Sequence, residues 1–175
     1  MGCHIRALTI RQSKRSPDEA AVAANLVGIA NVHWARQEYQ EAIDNAQRAL
    51  ILRQSLIPSN ETSVAATYAM LGNIYQDSGN SVLALDLTQK ALVLLEKTLS
   101  RDSPILAELL LNMGTMQVNI EAFEDACRSL TRAVKLYKRF LPEKHPDRLA
   151  AESEYQRVVD LYEKKKKFAE KQSQT

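Results

Sequence analysis

The chain copies itself at a spacing of 42 residues. Arg6-Ala7-Leu8-Thr9-Ile10-Arg11-Gln12-Ser13 returns as Arg48-Ala49-Leu50-Ile51-Leu52-Arg53-Gln54-Ser55, with six of the eight positions identical. Weaker copies keep the register at Lys90-Ala91-Leu92 and Arg132-Ala133-Val134. Three further sets share the spacing: Ala42, Ala84 and Ala126; Ala30, Gly72 and Gly114; and the apolar Ile29, Leu71 and Met113. A fixed period of this length marks a stack of one supersecondary unit. A single unit cannot bury its own apolar face, so copies pile into a solenoid with a continuous core.

The residue types say what the unit is. Two helices packed antiparallel at about 8–10 Å need small side chains where their backbones approach. Ala30, Gly72 and Gly114 supply them on the first helix of each pair; Ala42, Ala84 and Ala126, with Ala49, Ala91 and Ala133, supply them on the second. Each second alanine follows the first by seven residues, two helical turns, so both face the same way. With only 5 Gly and 5 Pro among 175 residues there is too little turn chemistry for a sandwich or barrel. Ser16-Pro17-Asp18-Glu19 reads as a capping box with proline at the first helical position. Asp102-Ser103-Pro104 and Lys144-His145-Pro146-Asp147 restart helices in the same way, and Ser78-Gly79-Asn80 stops one. The expected architecture is all-α: a right-handed superhelical solenoid of antiparallel pairs at about 17–36 with 40–56, 61–78 with 81–99, and 104–119 with 123–140. These are flanked by half-repeats at 3–14 and 146–168, with a disordered tail at 169–175. An array that opens on a second helix and closes on a first helix either caps itself or is a piece of a longer array.

A net charge of +2 argues against a dedicated nucleic-acid or membrane-surface protein. Cys3 and Cys127 make neither a disulfide framework nor a zinc site, and fit a reducing compartment. No apolar run approaches the roughly 18 residues of a membrane span, and Met1 to Arg15 lacks the apolar stretch of a secretion signal. The expectation is a cytoplasmic protein. Met1-Gly2-Cys3 is compatible with myristoylation at Gly2 and palmitoylation at Cys3, although Arg6 stands where that motif prefers Ser or Thr. Lys164-Lys165-Lys166-Lys167 is read as a solvated helix end that complements the helix dipole.

The pattern Leu71-Gly72-Asn73-Ile74-Tyr75 with Gly79 and Ala84 resembles the tetratricopeptide repeat in the 42-residue form of kinesin light chains. So do Tyr39-Gln40-Glu41-Ala42-Ile43 with Arg48-Ala49-Leu50, Phe123-Glu124-Asp125-Ala126 with Ala133, and the loop His145-Pro146-Asp147. The likeness spans residues 3–168. It implies a concave groove, lined by the first helices, that binds extended or helical peptides, and hence a non-catalytic interaction scaffold or cargo adaptor with a protein partner. The alternatives are a module that self-associates end to end and the interaction segment of a larger enzyme.

By period, the groove falls to Val27, Asn31, Trp34 and Ala35; to Ala69, Met70, Asn73, Gln76 and Asp77; to Glu108, Leu111, Asn112, Thr115, Val118 and Asn119; and to Ser153, Glu154, Arg157 and Asp160. The strongest candidates are Asn31, Trp34, Met70, Asn73, Gln76, Asn112, Thr115, Asn119 and Arg157. Asparagine amides carry both donors and an acceptor for a peptide backbone. Trp34 and Met70 suit an apolar ligand side chain. The groove should be largely neutral, slightly acidic toward its C-terminal end. Co-chaperones of this family grip a C-terminal carboxylate with Lys, Asn and Arg. Here the matching places hold Val27, Asn31, Met70, Glu108 and Asn112, which excludes that clamp. The exposed cations fall mostly on the second helices: Arg48, Arg53, Lys90, Arg128, Arg132 and Lys135.

No cofactor, metal site or catalytic constellation is expected. His4, His33 and His145 are scattered, Cys127 reads as inert core, and there is neither a nucleophile elbow nor a phosphate-cradling loop.

Overall fold

The computed structural model describes residues 17–56, 59–100 and 102–172. Among these lie helices α1 (Pro17–Ala35), α2 (Tyr39–Ser55), α3 (Glu61–Asp77), α4 (Ser81–Thr98), α5 (Pro104–Asn119), α6 (Phe123–Phe140) and α7 (Pro146–Gln172). The described residues form no strand. The expected half-repeat at 3–14, the cap Ser16 and the lipidation residues Gly2 and Cys3 lie outside them. Helices pair as α1–α2, α3–α4 and α5–α6, and α7 packs on α6 as a half-repeat. Each helix packs chiefly against its neighbours in sequence, with α3 also touching α5, so the chain is an all-α superhelical solenoid. One boundary differs from expectation. Residues 169–172 are not tail but the last turn of α7, which continues its solvated lysine-rich face.

The small residues lie where the period places them. Ala30, Ala42, Ala49, Ala84, Ala91, Ala126 and Ala133 are all fully buried. Gly72 and Gly114 mark the tightest approaches. A Cβ on Gly72 would lie 2.4 Å from Thr88 Oγ1, and one on Gly114 would lie 2.6 Å from Leu130 Cγ. At the same register α7 carries Gln156, which is exposed, so the small-residue series ends there.

The turn inside each pair also repeats. The backbone N–H groups of Glu38, Asn80 and Ala122 donate to the carbonyls of His33, Tyr75 and Gln117, at 2.9, 2.8 and 2.9 Å. This i to i−5 closure needs one residue in the left-handed region. Gly79 takes it at φ 89°, but Gln37 and Glu121 take it at φ 62° and 61°. A Cβ there costs about 1–2 kcal/mol, while glycine's extra freedom in the unfolded chain returns about half of that. Gln37→Gly should therefore stabilise the protein by about 0.5–1 kcal/mol, read as a higher urea midpoint. A lower midpoint would mean that the Gln37 side chain holds the turn.

The outer face of α1 differs from its copies. Val22, Ile29 and Val32 are 45%, 45% and 51% exposed, whereas Val64, Leu71 and Ile74, one period later, are 6%, 1% and 0% exposed. In α3 the preceding second helix, α2, packs over the hairpin. The register of an equivalent neighbour for α1 lies outside the described residues.

At the other end, α7 buries Ala151 against Ala107, Val134 and Tyr137, and Val158 against Ala126 and Leu130. Glu152 pairs with Lys138 of α6 at 3.4 Å and accepts from Arg148 of its own helix at 3.0 Å. The Arg148 hydrogen bond, aided by Lys138, holds the Glu152 carboxyl below the usual range.

Candidate functional site

The first helices α1, α3 and α5 lie side by side and leave a depression of about 360 Å³ between them. Asn31 and Trp34 line it from α1. Thr62, Ala66, Ala69, Met70 and Asn73 line it from α3, and Ile105, Glu108, Leu109 and Asn112 from α5, with Leu95 of α4 at its base. The volume is at the lower end of the range for ligand clefts, about 300–1,000 Å³.

Each wall follows from helix period. Thr62, Ala66, Ala69, Met70 and Asn73 are spaced 4, 3, 1 and 3, a single stripe of α3. Ile105, Glu108, Leu109 and Asn112 repeat the stripe on α5. The two alanines leave a hollow, and buried Met70 and Leu109 give it an apolar floor. Above the floor, Asn112 Nδ2 donates to Asn73 Oδ1 at 3.5 Å, a long bond that leaves most of both amides unused. Trp34 is half-buried, and its indole N–H donates to Asp77 Oδ2 at 2.8 Å, tying α1 to α3 at the rim.

Five of the nine strongest sequence candidates therefore meet in one depression: Asn31, Trp34, Met70, Asn73 and Asn112. Met70 is buried as floor rather than projecting. The other four do not line it. Gln76 lies one turn past Asn73, with its Oε1 buried and without a hydrogen-bond partner. Thr115 is occupied locally, its hydroxyl donating to the Asn112 carbonyl at 2.7 Å. Asn119 is exposed at the end of α5, and Arg157 is held by Glu154 through two hydrogen bonds of 2.8 and 2.6 Å. The depression runs obliquely, from the C-terminal half of α1 to the N-terminal half of α5. This is why Asn112, and not the register mate Thr115, completes the line from Asn31 and Asn73.

Thr62, Ala66, Leu95, Ile105 and Leu109 were not among the sequence candidates. Following the α3 and α5 stripes toward their N-termini would have found all of them except Leu95. The remaining candidates have structural work. His33 Nδ1 lies 2.6 Å from Glu38 Oε2 across the α1–α2 turn. His145 Nδ1 accepts the Asp147 N–H at 3.3 Å where α7 begins. Cys127 is half-buried rather than core, and burial pushes its thiol up, away from the reactive thiolate. Among the described residues no cluster of His, Cys, Asp and Glu has the makings of a metal site, and no helix is long and apolar enough to cross a membrane.

Stacked helical hairpins with a concave cleft across three first helices define a class, the helical-repeat proteins built for protein–protein interaction. Profiles of the tetratricopeptide repeat match residues 22–60 and 63–139, and the chain belongs to that family. Its repeats are like those of kinesin light chain-type structures. A candidate kinesin light chain of Podosopora anserina, made of nearly identical TPR-like repeats, superposes with a TM-score of 0.72 at 20% identity, over 80% of this chain and 66% of that one. BtubC (BKLC) of P. vanneervenii superposes with a TM-score of 0.74 at 16% identity, over 87% and 60%. The first TPR of Spaghetti, bound to an HSP90 peptide, superposes with a TM-score of 0.61 at 16% identity, over 82% and 94%. At these identities the likeness is one of fold. The chain spans about two thirds or less of the first two. No curated protein matches it in sequence.

Proposed function

We propose that this chain is a non-catalytic cytoplasmic adaptor that seats a peptide segment of another protein between α1, α3 and α5. The observation that carries the reading is the convergence of three asparagine amides, Asn31, Asn73 and Asn112, over the apolar floor of Met70 and Leu109. The amides would satisfy a ligand's backbone while the floor takes one of its side chains. The Spaghetti TPR that holds an HSP90 peptide supports a concave face as a peptide seat in this family. An acidic C-terminal peptide of that kind is disfavoured here, because Glu108 stands in the cleft and no Lys or Arg does. The likeness to kinesin light chain repeats supports a cargo-adaptor setting. End-to-end stacking is disfavoured by Gln156, which replaces the small residue a following helix would need.

The test is proximity labelling in cells with the wild-type chain and with Asn31→Ala/Asn73→Ala/Asn112→Ala. A discrete set of partners should disappear, while the melting temperature moves by less than about 4 °C, as expected for partly exposed polar positions. An unchanged partner list would remove the groove as the working surface.

A further inference from the structure

We infer that the peptide seated in this groove is cationic, a segment with lysine or arginine beside a large apolar residue. This rests on the groove reading above and adds the chemistry of the partner. Within the three full hairpins the charges are segregated by layer. The first helices α1, α3 and α5 carry Glu19, Glu61, Asp77 and Glu108 among the residues whose side chains are described, and not one lysine or arginine. Within these hairpins the cations sit on α2, α4 and α6, where acids often compensate them: Lys90 pairs with Asp86, Arg128 with Asp125, Arg132 with Glu96 and Arg139 with Asp102. The other large group of cations is on α7, beyond the cleft.

One of the inner acids lines the cleft, and two more adjoin lining residues. Glu108 lines it and makes no ion pair among the described residues. Asp77 is fixed to its rim by the Trp34 indole. Glu61 is the first residue of α3 and precedes the lining residue Thr62. Glu61 and Asp77 stand at opposite ends of α3, about 24 Å apart at about 1.5 Å per residue. That is well beyond a screening length of about 8 Å at physiological salt, so the charge inside the cleft is that of Glu108. A cleft of one sign attracts the opposite sign and rejects its own. The apolar half of the motif follows from the hollow at Ala66 and Ala69, and from Met70, whose flexible thioether adapts to a ligand of uncertain shape.

The test is selection of a random dodecapeptide display library on the immobilised protein, repeated with Glu108→Gln and with Asn73→Ala/Asn112→Ala. Lysine and arginine should be enriched next to a large apolar residue, and aspartate and glutamate depleted. With Glu108→Gln the basic enrichment should fall toward the library frequency while the apolar preference stays. A synthetic copy of the leading peptide should bind about fivefold more weakly to Glu108→Gln, and more weakly still as salt rises. Selected peptides that are acidic or neutral, or a basic preference indifferent to Glu108→Gln, would overturn the inference. Peptides that bind equally well to Asn73→Ala/Asn112→Ala would sink the groove reading itself, and no enriched family at all would sink both. Sedimentation covers the remaining occupant: a concentration-dependent dimer dissolved by Glu108→Gln would put the exposed Lys164–Lys167 run of a second copy in the cleft, and overturn the foreign peptide.

Discussion

Replacing Gly72 with alanine should destabilise the protein by about 1–3 kcal/mol, even though alanine is the better helix former by about 1 kcal/mol. The added methyl would sit 2.4 Å from Thr88 Oγ1 and 3.1 Å from the Ala84 carbonyl oxygen. Thr88 has little room to yield. It is fully buried, and its hydroxyl lies 3.3 Å from Met116 Sδ in the next repeat. The chain contains the solution to this clash. One period earlier the same two positions are Ala30 and Ala46, both fully buried. Adding Thr88→Ala to Gly72→Ala rebuilds that pair and should recover about 1–2 kcal/mol, a coupling that urea unfolding of the four-member cycle measures directly. If Gly72→Ala were neutral, or the two changes simply added, close approach at this position would not be what fixes the hairpin.

The third hairpin inverts the experiment. Leu130 is fully buried, packed with Ala126 and Val158, and it fills the space over Gly114. Leu130→Ala should cost about 2–5 kcal/mol through lost burial and the cavity left behind. Gly114→Ala made alone overpacks against Leu130. Made together with Leu130→Ala, it should give back about 1 kcal/mol, since the new methyl enters vacated space and the helix loses a glycine. Hydrogen exchange supplies a second readout. Protection should fall most in α7, whose Val158 rests on Leu130, and least in α1 and α2. Uniform loss across all helices would contradict that local account.

These pairs show what could be read from the chain before its structure. Ala30/Ala46, Gly72/Thr88 and Gly114/Leu130 share one period, and as one partner grows the other stays small. Hairpin pairing and helix order were legible from the small residues Ala30, Gly72 and Gly114 and Ala42, Ala84 and Ala126 at one period, whereas the match of the first three to Ala46, Thr88 and Leu130 emerges only when the helices are packed. The groove was legible in part. Asn31, Trp34, Met70, Asn73 and Asn112 share a first-helix face, and that much follows from period. How far each hairpin is rotated on its neighbour does not, because it depends on the sum of many side-chain volumes. That rotation takes Thr115 and Arg157 off the line and brings in Ile105 and Leu109. Local partners also escape a periodic reading: the Thr115 hydroxyl turns to its own helix, and Arg157 to Glu154. The apolar Ile29 matched Leu71 and Met113 in sequence but is exposed, because burial at this position depends on the neighbouring helix as well as on residue type.

The near absence of contacts between helices distant in sequence has a mechanical side. The three hairpins are joined in series, like coils of a spring, and their interfaces can each yield a little without breaking the others. The cleft is bounded by three coils at once, so its width follows the angles at two interfaces. A segment lying across α1, α3 and α5 would act as a brace, stiffening interfaces it does not touch. The same linkage runs the other way: tension drawn along the axis would widen the cleft, and the grip on a bound segment would weaken under load.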